Sequence, residues 1–431
     1  MEATSSFLDE YDSFDALADP AAVAPARRAL LQRWLAEDSV GLFAELRERR
    51  PILDAPGITV VTRYHDVLEV LGRPHAFSVR LYAPKMERVA GPFILGLDDT
   101  ARYEIDASIL RLAFRRDDAP RVKEIVAHLA QELLADARST GRLEVVEQVA
   151  HVVPARLVGE YFGVPGPDVT TIQRWARTMF FDIFANLRDD PVAREEALTS
   201  GVQMRAYLEE LIASRRAELE STGVEHGWSD VLTRLVRMQV NPEASFDNVA
   251  IRDNMIGMIV GAIDTNSKAI VHVIDELLRR PSELEAAHQA ALADDDDLLS
   301  KHVFEALRFK PQNSFLVRFC EQPYTIAEGT ERETAVAPGT LVFAANSSAM
   351  MDASVVDEPG TFMLDRPSSD YLHFGSGLHT CAGRFISRTQ ILEVAKQILR
   401  LPGLRRAQGQ DGQVEYDRLF PTRFVVECDN A

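Results

Sequence analysis

Residues 373–384 read His373-Phe374-Gly375-Ser376-Gly377-Leu378-His379-Thr380-Cys381-Ala382-Gly383-Arg384. Three glycines bracket a cysteine, and a helical pattern starts at Arg384 and runs to Arg400. A thiolate needs help to stay ionised, and this arrangement supplies it. Just ahead of a helix N-terminus, the dipole and the free backbone N–H groups favour negative charge. Glycines at 375, 377 and 383 predict tight turns that aim such N–H groups at sulfur. A zinc site would need more ligands, since no second cysteine lies nearby and His373 and His379 alone do not complete a set. A phosphate loop would follow a clear strand and end in Lys-Ser or Lys-Thr, which this stretch does not. A buried structural cysteine would not require the glycine spacing. Ligation of a haem iron by the Cys381 thiolate explains the stretch best.

The rest of the chain fits a large helical protein. Apolar residues recur at i, i+3, i+4 from about Ala101 to Met238, with breaks at Gly and Pro such as Gly163-Val164-Pro165-Gly166. Ala26 to Arg50 reads as one amphipathic helix ended by Pro51, and Val67–Leu71 as a short helix ended by Gly72. Strand patterns are few: Ile58–Val61, Phe315–Phe319, Thr340–Phe343 and Phe424–Glu427. Between Pro242 and Pro281 a helix of roughly 34 residues is predicted, about 50 Å long at 1.5 Å per residue, with Ser245 or Asp247 as its N-cap. In its middle stands Gly261-Ala262-Ile263-Asp264-Thr265-Asn266. Small residues there permit a ligand to approach the backbone, and an acid beside a hydroxyl offers a proton path. Taken alone, the same stretch also reads as a helix-packing notch. The run Asp294–Asp297 reads as a solvated loop.

Composition excludes other classes. The net charge of −19 argues against a nucleic-acid partner and against an anionic membrane surface. Cys320, Cys381 and Cys428 are too few and too scattered for a disulfide framework, which points to a reducing compartment. Residues 1–20 are acidic where a targeting peptide would be basic. The most apolar run, Met255 to Ile263, falls short of the about 20 residues that span a bilayer. A soluble cytoplasmic protein is expected. No Gly-, Ser- or Pro-rich linker divides the chain, so residues 1–431 are expected to form a single domain, mainly α with a minor β component.

The cysteine stretch resembles the haem-binding loop of the cytochrome P-450 family, whose pattern is Phe-x-x-Gly-x-x-x-Cys-x-Gly. Phe374, Gly377, Cys381 and Gly383 meet it, with the bacterial-type histidine at 379. The resemblance extends along the chain in order. Gly261 to Thr265 is similar to the family's central oxygen-activating helix. Glu305-Ala306-Leu307-Arg308 matches its Glu-x-x-Arg, although Glu276-Leu277-Leu278-Arg279 fits the same spacing and only position separates the two. Some positions depart from the pattern. Ala262 stands where a second Gly is frequent, and Asn266 where a second Thr is frequent. Tyr103 and Ala107 replace a usual His and Arg, and 345–350 lacks Asn-Arg-Asp-Pro.

The resemblance implies a haem–thiolate monooxygenase carrying haem b on Cys381. Phe374, Gly375, Gly377, Gly383, Gly261 and Ala262 would border the cofactor, with Tyr103 as a further contact. Arg318 and His379 would hold the propionates, and Glu305 and Arg308 would form a buried ion pair. Asp264 and Thr265 would deliver protons for O2 activation. The chain shows no Gly-x-Gly-x-x-Gly dinucleotide motif, so electrons are expected from a ferredoxin and its NAD(P)H-dependent reductase. Arg111, Arg115, Arg116, Arg121, Lys123, Arg384 and Arg388 offer a docking patch, or simply scattered solvated charge. Phe180, Phe184, Val260, Ile263, Phe315 and Leu316 are the candidate pocket lining for an apolar small molecule of secondary metabolism. The segment 345–350 keeps open an alternative, a peroxide-dependent or hydroperoxide-rearranging enzyme on the same cofactor.

Overall fold

A computed structural model describes residues 6–16, 20–222, 229–239 and 246–430. The chain packs as two compact units, one from Met1–Leu81 with Asn313–Cys381, the other from Tyr82–Gln312 with Ala382–Ala431.

The first unit holds most of the β structure. Ile58–Val61 is buried along its whole length, as an interior strand should be, and pairs antiparallel with Ile52–Ala55 and parallel with Leu341–Ala344. Leu341–Ala344 then pairs with Leu316–Cys320, which pairs with Phe77–Ser78 at the edge. Against this sheet packs the helix Tyr64–Leu71, whose Val67, Val70 and Leu71 join Phe77, Val342 and Ala344 in one apolar cluster. Gly72 ends that helix as expected. The predicted helix over 26–50 is in fact two, Pro20–Glu37 and Ser39–Arg49. Asp38 divides them, because its carboxylate accepts the Gly41 N–H and so caps a new helix.

The second unit is built on the helix Asn248–Leu278, 31 residues and about 46 Å long. Asp247 is its N-cap and accepts the Ala250 N–H at 2.8 Å; Ser245, the other cap foreseen, lies outside the described residues. The helix is buried nearly all round, which explains a hydrophobic pattern too broad for an amphipathic surface helix. The helices Val169–Phe180, Asp296–Phe309 and Arg384–Leu399 pack on it. Asp294–Asp297 is more than a solvated loop. Asp295 caps Asp296–Phe309, while Asp294 and Asp296 receive the Lys396 ammonium at 3.3 and 3.0 Å. A C-terminal hairpin, Glu415–Asp417 with Phe420–Arg423, was not foreseen, because Pro421 breaks its alternation. Among the described residues no helix is long and apolar enough to cross a membrane.

Candidate functional site

In the first unit, Phe374 to Cys381 folds back on itself. The Cys381 N–H donates to the Phe374 carbonyl at 2.9 Å, and Thr380 N–H to the Gly377 carbonyl at 3.1 Å. Gly375 and Gly377 take φ of +71° and +75°, the left-handed region open to glycine. Gly377 also faces the end of Tyr64–Leu71 so closely that a Cβ would overlap the Leu71 carbonyl oxygen. Gly383 differs from the expectation. Its φ is −84°, which any residue adopts, so the turn does not require glycine there. The helix Arg384–Leu399 begins immediately after it.

The three thiols now separate. Cys320 and Cys428 are buried, their thiols pushed up by desolvation and donating to the carbonyls of Gln322 and Ala137. Cys381 is partly exposed. Near it in the chain, His379 is largely buried and its pKa falls to about 4, first because burial penalises the imidazolium and second because Arg318 is close. Arg318 is itself buried and donates to the Val317 carbonyl at 3.0 Å. A buried guanidinium beside a neutral imidazole is a donor set suited to a carboxylate. Phe315 packs edge-on to Phe43 and tilted against Phe343, and Leu316 lies beside Gly375, 3.3 Å from where a Cβ would stand. The segment Asn346–Ala349 is a short buried helix. Asn346 donates to the Asn313 carbonyl, and Ser348 Oγ accepts from Arg47 at 2.9 Å, so these side chains serve packing.

In the second unit, Glu305 and Arg308 form a fully buried bidentate pair, Nε to Oε2 at 2.9 Å and Nη2 to Oε1 at 2.7 Å. The rival Arg279 has a half-exposed side chain, so of the two spacings only Glu305–Arg308 forms a fully buried pair. On the central helix Asp264 is buried. Its Oδ1 accepts from Arg177 Nε at 2.9 Å and lies 3.4 Å from His151 Nε2, while Oδ2 has no hydrogen-bond partner among the described residues. Thr265 Oγ1 donates to the Gly261 carbonyl, and Asn266 Nδ2 to the Ala262 carbonyl at 2.7 Å. A Cβ on Gly261 would meet nothing within 4 Å, so this face of the helix is open. The partly exposed stripe is Met258, Gly261, Ala262, Thr265 and Lys268; Val260 and Ile263, expected on the pocket wall, are fully buried on other faces.

Phe180 and Phe184 stand 5.0 Å apart, ring centre to ring centre, where Val169–Phe180 runs into a wider turn over 181–185. Tyr82 joins Phe184 at 5.2 Å and Phe420 joins Phe180 at 5.9 Å. Arg177 lies over the Phe420 ring at 5.0 Å and so links this aromatic group to Asp264. Arg177, His151 and Phe420 escaped the sequence reading. A buried acid announces that it needs a cation, yet nothing local says which arginine. Tyr103 is buried, with Arg111 against its hydroxyl. Of the basic residues read as a patch, Arg115, Arg121 and Lys123 pair with Asp117, Glu124 and Asp296. Arg116 and Arg384 sit on the Phe385 ring, and Arg388 on Phe304.

Residues 57–401 match the family model described as Cytochrome P450. The chain belongs to the cytochrome P450 family. It is therefore a haem–thiolate monooxygenase. Its relatives include the mycinamicin IV hydroxylase/epoxidase of Micromonospora griseorubida, 27% identical over 85% of this chain and 88% of the relative. A steroid C26-monooxygenase of Mycolicibacterium smegmatis is 23% identical over 88% of each chain. Among solved structures, CalO2 superposes with a TM-score of 0.78 at 19% identity, covering 92% of this chain and 97% of that one. Cytochrome P450 CYP109Q5 from Chondromyces apiculatus gives 0.76 at 21% identity, over 92% and 97%. The fold is that of cytochromes P450. The residues present fit the family's cofactor: a partly exposed thiol held by a glycine turn, and a buried Arg318–His379 donor set matched to a propionate.

Proposed function

We propose that this cytochrome P450 oxidises an apolar small molecule of secondary metabolism in the cytoplasm, by hydroxylation, epoxidation or coupling, with electrons from a ferredoxin and its NAD(P)H-dependent reductase. Residues 1–431 act as one functional domain around haem b. The observation that carries the reading is the Cys381 turn, whose left-handed Gly375 and Gly377 leave the thiol partly exposed while the other two thiols are buried. Haem held by a thiolate supplies O2 binding and O–O cleavage, which electron donation from sulfur favours.

The chain's own residues do the rest. Arg318 and His379 bind the propionates, Arg318 by charge and His379 as a neutral donor. Glu305 and Arg308 keep a rigid ion pair inside the second unit. Asp264, its Oδ1 fixed by Arg177, presents Oδ2 as an acceptor for water on the proton path, and Thr265 orients water with the lone pairs left after its hydrogen is given to Gly261. Phe180, Phe184, Tyr82 and Phe420 offer an aromatic wall that suits an apolar substrate. Arg116 and Arg384, gathered on the Phe385 ring, give an acidic ferredoxin a positive contact. The relatives named as hydroxylases, epoxidases and monooxygenases support this class of reaction.

The test is the absorption spectrum of the purified protein, reduced under carbon monoxide and then titrated with candidate compounds. A thiolate-type carbonyl band that is lost in Cys381→Ala, with product formed only when reductant and redox partners are present, supports the proposal. Product formed from a hydroperoxide without any reductant would establish the peroxide-dependent alternative instead.

A further inference from the structure

Two arginines of this chain meet their carboxylates side-on. Arg308 sets Nε and Nη2 against the two oxygens of Glu305 at 2.9 and 2.7 Å, and Arg332 sets the same two nitrogens against the two oxygens of Asp66 at 2.9 and 3.0 Å. That fork matches a carboxylate in spacing and in plane. Arg177 breaks the pattern. Its Nε donates to Asp264 Oδ1 at 2.9 Å, but its Nη2 stands 3.3 Å from His151 Nε2. Asp264 Oδ2 is left buried, with no hydrogen-bond partner among the described residues.

The chemistry of the three groups fixes which gives and which receives. A guanidinium only donates, so the contact between Arg177 and His151 is a hydrogen bond in which Nε2 accepts. The imidazole is then the neutral tautomer that carries its proton on Nδ1. His151 Nε2 and Asp264 Oδ1, 3.4 Å apart, are two acceptors spanned by one fork. His151 is well seated for this task. Its N–H donates to the Val146 carbonyl at 2.9 Å, and its carbonyl accepts from Gln173 Nε2 at 2.8 Å. Gln173 and Arg177 are i and i+4 on Val169–Phe180, so one helix face grips both the backbone and the ring of His151. The guanidinium carbon lies over the Phe420 ring at 5.0 Å, which covers the flat side of the fork. What stays open is one carboxylate oxygen. Ser267 Oγ, three residues beyond Asp264, is also buried without a hydrogen-bond partner among the described residues. Buried polar atoms of this kind are satisfied by water.

We propose that His151 is a positioning residue: by taking Nη2 it keeps Arg177 off Asp264 Oδ2 and reserves that oxygen for the water of the proton path. The inference rests on the reading of Asp264 as part of that path. No covalent bond forms or breaks at His151. Without an acceptor at 151, Nη2 turns to Oδ2, where the fork geometry favours it, and the pair closes as Glu305 and Arg308 do.

Crystal structures of the holoprotein and two variants test the clamp. In the wild type and in His151→Gln, whose Oε1 can accept from Nη2 as Nε2 does, Oδ2 carries a water and Nη2 stays away from it. In His151→Leu, Nη2 comes within about 3.2 Å of Oδ2. If the leucine variant does not fold, His151→Phe, which fills the space of the imidazole, takes its place. Oδ2 bonded to Arg177 in the wild type, or left open in the variant without an acceptor, overturns the proposal. In solution, a surrogate ferredoxin and reductase drive NADPH oxidation without added substrate, and hydrogen peroxide is measured per NADPH. His151→Leu raises the peroxide share at least about threefold, because failed proton supply diverts electrons to peroxide. His151→Gln keeps the wild-type share, and adding His151→Leu to Asp264→Asn changes nothing further. A share that His151→Leu leaves unchanged, that glutamine fails to restore, or that rises further on top of Asp264→Asn overturns the role. Wild-type protein that draws no electrons at all overturns the monooxygenase reading together with this use of the clamp, and the crystal geometry tells that case apart.

Discussion

Gly375→Ala and Gly377→Ala offer a graded test of the cysteine turn. Both glycines are left-handed, so alanine at either position costs about 1–2 kcal/mol in backbone conformation alone. The surroundings then separate them. At 375 the new methyl would meet Leu316 Cδ1 at 3.3 Å, a side-chain end that yields by a few tenths of an ångström. At 377 it would overlap the Leu71 carbonyl oxygen and stand 3.0 Å from the Leu71 carbonyl carbon and 3.2 Å from Gly72 Cα. That neighbour is backbone at a helix end, and relief requires moving the turn or the helix, at roughly a further 1–3 kcal/mol. The totals are about 1–2 kcal/mol for Gly375→Ala and about 2–5 kcal/mol for Gly377→Ala. Urea unfolding of each variant, with the reduced carbonyl spectrum as a second readout, measures the difference. Gly375→Ala is expected to keep a thiolate-type band. Gly377→Ala is expected to lose most of it and to unfold at clearly lower urea. Equal losses, or the reverse order, would show that close approach to Leu71 does not shape the turn.

Three further outcomes follow from the site. Asp264→Asn and Thr265→Ala are expected to keep their haem spectrum but lower product per electron consumed; unchanged coupling in both removes them from proton delivery. Glu305→Gln leaves the Arg308 guanidinium buried without its carboxylate and is expected to cost about 3–5 kcal/mol, visible as loss of folded holoprotein on expression at 37 °C. The folded-state pKa of His379, about 4, lies below its value in an unfolded chain, about 6.5. Its contribution is therefore present above pH 6.5 and lost as pH falls toward 4. Haem-free protein should accordingly lose stability across that window, and His379→Gln should flatten the loss; identical acid profiles in a urea titration series would contradict the assignment.

The parts legible in sequence were those fixed by local chemistry. The strand Ile58–Val61, the Asp247 cap and the left-handed turns at Gly375 and Gly377 each depend on neighbours a few residues away, and all stand where the residues place them, whereas Gly383 does not take such a turn. Glu305–Arg308 was legible for the same reason, as an i, i+3 pair. Partners from distant segments were not. Asp264 takes Arg177 from a helix 87 residues earlier, and Phe420 reaches Phe180 from the C-terminal hairpin. Apolar positions on the central helix misled for a different reason. On a helix buried nearly all round, hydrophobicity no longer says which face is open, so Val260 and Ile263 looked no different from pocket residues.

Asn266 bears on how such chains are compared. Its amide gives the Ala262 carbonyl a second donor, just as the Thr265 hydroxyl does for Gly261 one residue earlier. Two adjacent carbonyls of the central helix are thus drawn toward side chains, one by an alcohol and one by an amide. Scored letter by letter, asparagine at 266 is a mismatch to threonine. A threonine at 266 could donate to the same i−4 carbonyl, so asparagine there keeps the extra donor on Ala262 while changing the group that supplies it.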